Sequence, residues 1–323
     1  MSGGAVAAVD LGATSGRVIL GYVGHNELQL TDVARFPNRP VRTIDGLHWS
    51  VLELYRDVVE GLAAAVRQEP QVASIGIDSW AVDYGLLRDG RLLGAPYAYR
   101  DERNLAAVEV VHGIVPPEEL YRLNGLQHLS FNTLFQLTAD RTAGMLELAD
   151  SHLLLPDLLG YWLTGRSVAE RTNASTTGLL GVETGEWDFA LAERLGLPQR
   201  LFRPLVNAGT EVGALVPSAV RGIGETRAVG TGSGCRLHLV RHLVTGGDRA
   251  RAPGADGGEP ARRLHQRGRR GRTRALPAQR DGPVAAQREH PRLGAHRRDD
   301  LAAGAAGAGR IRSRRCTGLR RRR

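Results

Sequence analysis

Ala5-Val-Ala-Ala-Val-Asp10-Leu-Gly12-Ala13-Thr14-Ser15-Gly16-Arg17 begins as a short apolar run, then breaks into small and hydroxylated residues after one carboxylate. Such a run, bounded by Gly, reads as a buried strand entering a tight turn. The chain resumes as strand over Arg17–Val23 and alternates again over Leu28–Arg35, so the turn closes a hairpin. Gly12 and Gly16 let backbone approach a ligand closely, while Thr14 and Ser15 offer N–H and hydroxyl donors. Asp10 stands where a carboxylate can hold Mg2+, directly or through water. An ordinary hairpin turn has the same spacing, and the residues alone leave both readings open.

Working outward, Thr43–Trp49 supplies another short strand. Ser50 and Glu53 have the spacing of a capping box. Leu54, Val58, Leu62 and Val66 recur every four residues, which predicts an amphipathic helix over 51–67. Val72–Ile77 is β-branched and apolar, a central strand. Hairpin, helix, strand: the order predicts an α/β domain with a mixed sheet. Past residue 100 helices dominate, at Pro117–Leu120, Thr133–Ala149, Pro156–Leu163 (stopped by Gly165) and Trp187–Leu195 (stopped by Gly196 and Pro198). Val212–Pro217 reads as a loop or edge strand, and Arg227–Gly230 as the start of one more strand.

In Gly76-Ile-Asp78-Ser-Trp80-Ala81-Val-Asp83-Tyr-Gly85 two carboxylates flank an aromatic ring at a strand exit. Sugars are bound by such groups, and a capped strand with a core Trp has the same residues. Tyr99–Arg103, Phe131–Thr133 and Arg171–Thr177 are polar clusters between helical segments, each with the composition of a turn or N-cap. No HExxH pattern supports zinc, and the Gly runs at Gly222 and Gly230 do not complete a dinucleotide fingerprint.

Composition narrows the function classes. All 43 basic residues are Arg, which excludes a P-loop lysine, a Schiff-base lysine and a protein-kinase lysine. Residues 1–233 carry 19 Arg against 27 Asp and Glu, whereas 234–323 carry 24 against 7. Every aromatic lies at or before Phe202, and Leu, Ile, Val and Phe together make only 12 of the last 90 residues. The expectation is one domain over 1–233 and a disordered basic tail over 234–323, with no domain of its own. As a nucleic-acid arm that tail lacks interleaved aromatics. No apolar run is long enough to span a membrane and the start has no basic leader, so a soluble cytoplasmic protein is expected.

Taken in order, these segments resemble the N-terminal half of the FGGY-family carbohydrate kinases, in the rhamnulokinase branch. The resemblance rests on Ala8–Val18, Ile75–Gly85, Ala98-Tyr-Arg-Asp101, Phe131-Asn-Thr-Leu-Phe-Gln136, Leu155–Leu159, Tyr161–Gly165, Thr172–Thr177 and Thr184-Gly-Glu-Trp-Asp188. It implies an actin/RNase H-like fold of two lobes with ATP and sugar between them. The implied reaction moves the γ-phosphate of ATP, with Mg2+, to the 1-hydroxyl of L-rhamnulose. It further implies that Ala13, Thr14, Ser15, Gly16 and Arg17, with Gly12 in the turn, face the ATP phosphates and that Asp10 lies near the metal. The sugar would sit against Ala81, where the family usually has Gly, touching Asp78, Trp80 and Asp83.

The resemblance covers residues 5–233 and breaks at residue 234. The family continues into a His-Asp pair whose Asp is the general base, whereas this chain reads Gly232-Ser233-Gly-Cys-Arg-Leu-His-Leu239. The pair is missing after Ser233, so no catalytic residue is assigned. The family's second lobe likewise has no counterpart in residues 234–323. An all-Arg basic set and a run rich in Arg, Ala, Gly and Pro fit GC-rich codons read out of frame from about residue 233. The resulting expectation is a sugar kinase by descent whose chain, as it stands, is inactive.

Overall fold

Period-two burial sets the first strands. In the computed structural model, which describes residues 4–225 and 236–239, β1 (Ala5–Leu11) buries Ala5, Ala7, Val9 and Leu11 and turns Val6, Ala8 and Asp10 to the opposite face. It pairs antiparallel with β2 (Ser15–Val23), which pairs antiparallel with β3 (Leu28–Pro37). The segment expected to be one strand over 43–49 is a hairpin of β4 (Pro40–Arg42) and β5 (Leu47–Trp49), because the chain reverses between Thr43 and Gly46, joined by a 2.8 Å backbone bond.

Helix α1 (Val51–Gln68) buries Val51, Leu54, Val58, Leu62 and Val66, the stripe that the spacing marked. Burying each such side chain is worth about 1.5–3 kcal/mol. The expected capping box does not form: Ser50 makes no side-chain cap bond, and Glu53 instead pairs with Arg56 at 3.2 Å. β6 (Val72–Ser79) then runs parallel to β1, with Asp10 opposite Asp78.

Two further strands complete a mixed six-stranded sheet. β12 (Glu211–Ala214) and β13 (Arg236–Leu239) give the order β12-β13-β6-β1-β2-β3, with β13 parallel to β6. β13 lies beyond Ser233, where the domain is expected to end. Leu237 is buried in the sheet's core. Ser233 itself, after which the His-Asp pair was expected, lies outside the described residues. So do the expected strand at Arg227–Gly230 and the rest of 234–323.

A second layer comes after β6. β7 (Tyr84–Arg88) is flanked by β8 (Arg91–Leu92) and β9 (Ser151–Leu154). Around it stand α2 (Asn104–Ile114), α3 (Pro117–Asn124), α4 (Thr133–Thr142) and α5 (Met145–Leu148). The helix expected over 133–149 is thus two, broken where Gly144 takes φ 74°. α6 (Leu155–Thr164) ends as expected at Gly165, in the left-handed region with φ 72°. A short pair, β10 (Ala169–Glu170) with β11 (Leu205–Val206), brackets α7 (Arg171–Ala174) and α8 (Phe189–Arg194), and α9 (Pro217–Ile223) packs on α1. Two cores result: one between the large sheet, α1 and α6, the other centred on α2, α4 and β7. Among the described residues no helix is long and apolar enough to cross a membrane.

Candidate functional site

The turn between β1 and β2 is closed by Gly12 N–H donating to Ser15 O at 2.8 Å, leaving Gly12, Ala13 and Thr14 at the strand ends. Its two glycines have different reasons. A Cβ on Gly16 would stand 2.2 Å from Phe36 and 2.9 Å from Leu11, so the β3 ring packs directly on the Gly16 backbone. Gly12 keeps its Cα clear of Ser15 O, which a Cβ would approach to 3.1 Å.

Asn38 clamps this turn from outside. Its backbone N–H donates to Thr14 O at 3.0 Å, and its side-chain Nδ2 donates to Gly12 O at 2.9 Å. Sequence reading missed Asn38. The signal was available only through strand register, since Gly16 faces Phe36 across β2 and β3 and places Asn38 beside the turn.

Arg17 comes next, opposite Asp10. Its Nε and Nη2 both reach Asp10 Oδ2 at 2.7 Å, so these two residues, assigned separately to phosphate and metal, are partners of each other. The pair is about two-fifths exposed, and such a bridge contributes roughly 0–1 kcal/mol, little enough for a ligand to redistribute. Asp78 stands in register with Asp10 on the neighbouring parallel strand, and its Oδ1 accepts from Ser79 N–H at 2.9 Å. Two carboxylates side by side at strand ends, next to a phosphate-sized turn, fit Mg2+, which takes one or two protein carboxylates and fills its other positions with water and phosphate oxygen. Among the described residues no group of three or more acidic, His or Cys ligands forms a dedicated metal cage.

The Asp78–Asp83 segment joins the turn through Trp80 N–H, which donates to Leu11 O at 3.0 Å. It then folds through a tight reversal in which Asp83 N–H reaches Ala81 O at 2.9 Å over Val82 at φ 69°. A β-branched residue there is strained, so surrounding contacts must hold it. They are Thr133 Oγ1 at 2.8 Å and Gln136 Nε2 at 3.3 Å, both donating to Val82 O. This gives the polar cluster at Phe131–Thr133 its role: it braces the reversal.

Asp83 is not placed as expected. It has no exposed surface, and its oxygens are taken by protein donors: Trp49 Nε1 at 2.6 Å, Trp80 Nε1 at 2.9 Å and Tyr99 N–H at 3.2 Å on Oδ2, with Gln136 Nε2 at 3.0 Å on Oδ1. Burial pushes its pKa up to about 6, against the opposing pull of those donors. Rather than facing a ligand, Asp83 fixes the half-buried Trp80 ring, 4.5 Å from Trp49, beside half-exposed Ala81.

The remaining polar clusters are framework. Asp101 accepts from Leu47 N–H at 2.7 Å and Arg103 pairs with Asp140. Glu170 caps α7 through Thr172 and Asn173 N–H groups, both at 2.8 Å.

Residues 5–235 match the N-terminal domain of the FGGY family of carbohydrate kinases. The match ends two residues past Ser233. Curated relatives named rhamnulokinase are similar: that of Bacteroides thetaiotaomicron is 41% identical over 211 residues (64% of this chain, 44% of the relative), and that of Yersinia pestis 42% over 212 residues (64% and 44%). That of Oceanobacillus iheyensis is 39% identical over 221 residues, 67% of this chain and 47% of the relative. The chain therefore spans a little under half the length of these relatives. Among solved structures, gluconate kinase from Lactobacillus acidophilus superposes with a TM-score of 0.64 at 15% identity, covering 74% of this chain and 47% of that one. A carbohydrate kinase from Novosphingobium aromaticivorans gives 0.61 at 24%, covering 75% and 49%. These likenesses establish the actin/RNase H-like fold over the described lobe.

Proposed function

The chain belongs to the FGGY family of carbohydrate kinases, and from that premise we propose that its described lobe is the sugar- and phosphate-facing half of an L-rhamnulose kinase of the cytoplasm. The observation that carries this reading is the bond from Trp80 N–H to Leu11 O, with Asp10 and Asp78 in register beside it. It brings a phosphate-sized turn and a Trp-bearing segment to the same ends of β1 and β6, and the rhamnulokinase relatives supply the sugar.

In this reading the Gly12–Ser15 backbone and the Thr14 and Ser15 hydroxyls point donors at the ATP phosphates, and Arg17 turns partly from Asp10 to a phosphate oxygen. Asp10 and Asp78 would hold Mg2+, which when bound supplies charge neutralisation to the transferring group. Trp80 offers a flat face to the sugar next to Ala81, with Asp83 and Gln136 holding that face in place. Transfer to a primary alcohol also needs a group to accept the hydroxyl proton in line with the phosphate. Gly232–Leu239 holds no carboxylate for that role, so the chain is proposed to bind without turning over.

A coupled ADP-release assay with L-rhamnulose and Mg-ATP tests this. The expected outcome is no sugar-dependent ADP release by the purified chain, together with sugar-dependent quenching of Trp fluorescence. Sustained turnover would overturn the assignment of inactivity, and phosphorylation of another ketose in preference would overturn the substrate.

A further inference from the structure

Val82 is the corner between Trp80-Ala81 and Asp83, and its backbone is strained: φ 69° in a β-branched residue, with Asp83 N–H closing back on Ala81 O at 2.9 Å. Its side chain is 6% exposed, so packing rather than backbone freedom accounts for the residue. Two donors hold the corner's carbonyl. Gln136 Nε2 has two hydrogens for three acceptors, Phe131 O at 2.9 Å, Asp83 Oδ1 at 3.0 Å and Val82 O at 3.3 Å, so its bond to Val82 is the weakest of the three. Thr133 Oγ1 donates to Val82 O at 2.8 Å and is therefore the principal restraint. Thr133 is fully buried, and its neighbours are fixed from a third stretch of chain. Asn132 Nδ2 donates to Thr176 O at 3.2 Å, and Leu134 N–H to Thr177 O at 2.9 Å. The polar cluster at Arg171–Thr177 thus reaches the Trp80 segment through Thr133.

We infer that Thr133 is a positioning residue for sugar binding: its hydroxyl latches Val82 in the strained conformation that presents Trp80 and Ala81. The inference rests on the reading of those two residues as sugar-facing. The strain of a β-branched residue at positive φ and the worth of one buried hydrogen bond are of the same order. Without the Thr133 bond, the corner is held by one long bond and relaxes. Rotation of Val82 to negative φ turns the Ala81–Val82 peptide and breaks the bond from Asp83 N–H to Ala81 O. Trp80 and Ala81 then lose their fixed relation to Asp83, although no residue that faces the sugar has changed. Glycine at position 82 carries no such strain and needs no latch.

L-rhamnulose titrations of the full chain, followed by Trp fluorescence, test the coupling. Thr133→Val, which keeps the shape and removes the hydroxyl, should weaken binding about tenfold or more. Thr133→Ser, which keeps the hydroxyl, should bind within about twofold of wild type. Val82→Gly should still bind, and in that background Thr133→Val should cost no more than about twofold. A general loosening of the fold would instead weaken binding equally with either residue at position 82. Thr133→Cys, close in size and a weaker donor, gives the same comparison if Thr133→Val does not fold. A wild-type chain that does not bind the ketose overturns the sugar reading, and the inference with it. Wild-type binding that survives Thr133→Val, is lost in Thr133→Ser or Val82→Gly, or falls equally in both backgrounds overturns the latch alone.

Discussion

Replacing Asp83 by Asn isolates the cost of keeping a carboxylate under the Trp80 segment. The folded pKa is raised to about 6 from an ordinary value of 3.8. A raised value means that the folded chain holds the proton more tightly than the unfolded one. Stability from this group is thus fully present below 3.8 and is lost as pH rises toward 6. The whole loss is about 3 kcal/mol, and about 2 kcal/mol of it falls between pH 4.5 and 7.5. Asp83→Asn also sets two amide groups against each other at Gln136, at a cost that does not vary with pH. The offset between wild type and variant is therefore uninformative, but its pH dependence is not. Urea unfolding of both chains from pH 4.5 to 7.5 should show wild type losing about 2 kcal/mol relative to the variant. Since Trp49 and Trp80 both donate to Asp83, wild-type Trp emission should titrate near pH 6 and the variant's should not. Parallel stability curves with no Trp titration would refute the reasoning.

Other substitutions test other parts of the site. Gly16→Ala forces a methyl into the Phe36 ring and should cost about 1–3 kcal/mol in urea unfolding, with partial recovery in Gly16→Ala/Phe36→Leu. Asn38→Ala removes the bond to Gly12 O and should cost about 1 kcal/mol while speeding amide exchange across Gly12–Ser15; unchanged exchange there would remove the clamp role. Asp157 is fully buried, with Oδ2 unpartnered, and burial, then the neighbouring Glu170 charge, pushes its pKa well up against a bond from Glu170 N–H. Its folded value exceeds its unfolded one, so wild type loses stability as pH rises above about 4. Asp157→Asn should gain on wild type progressively from pH 4 to 8 in thermal melts.

Much of this was legible in the residues because local rules sufficed. Alternation in Ala5–Leu11 and the four-residue stripe of α1 each fix an element and its buried face without reference to the rest of the chain. Gly165 likewise ends its helix through its own backbone freedom. What was not legible depended on partners distant in sequence. Ser50 and Glu53 have capping-box spacing, yet Arg56 competes for Glu53. Asp83 looks like a ligand-facing carboxylate until Trp49, Tyr99 and Gln136, from three separate segments, converge on it. Asn38 carries no motif, and only the pairing of β2 with β3 brings it to Gly12. Asp10 and Arg17 were each recognised, but the register that makes them partners is a property of the hairpin. Composition likewise carries no sign that Leu237 finds a place beside β6.

The central claim is that the turn at Gly12–Arg17 and the segment at Asp78–Asp83 form one sugar- and phosphate-facing surface. Its most direct test is titration of L-rhamnulose, L-fuculose and D-xylulose into the purified chain, monitored by Trp fluorescence, with Trp80→Leu as the comparison. Saturable quenching that is strongest for L-rhamnulose and absent in Trp80→Leu is the expected result. No saturable change with any of the three ketoses, or quenching that survives in Trp80→Leu, would contradict it.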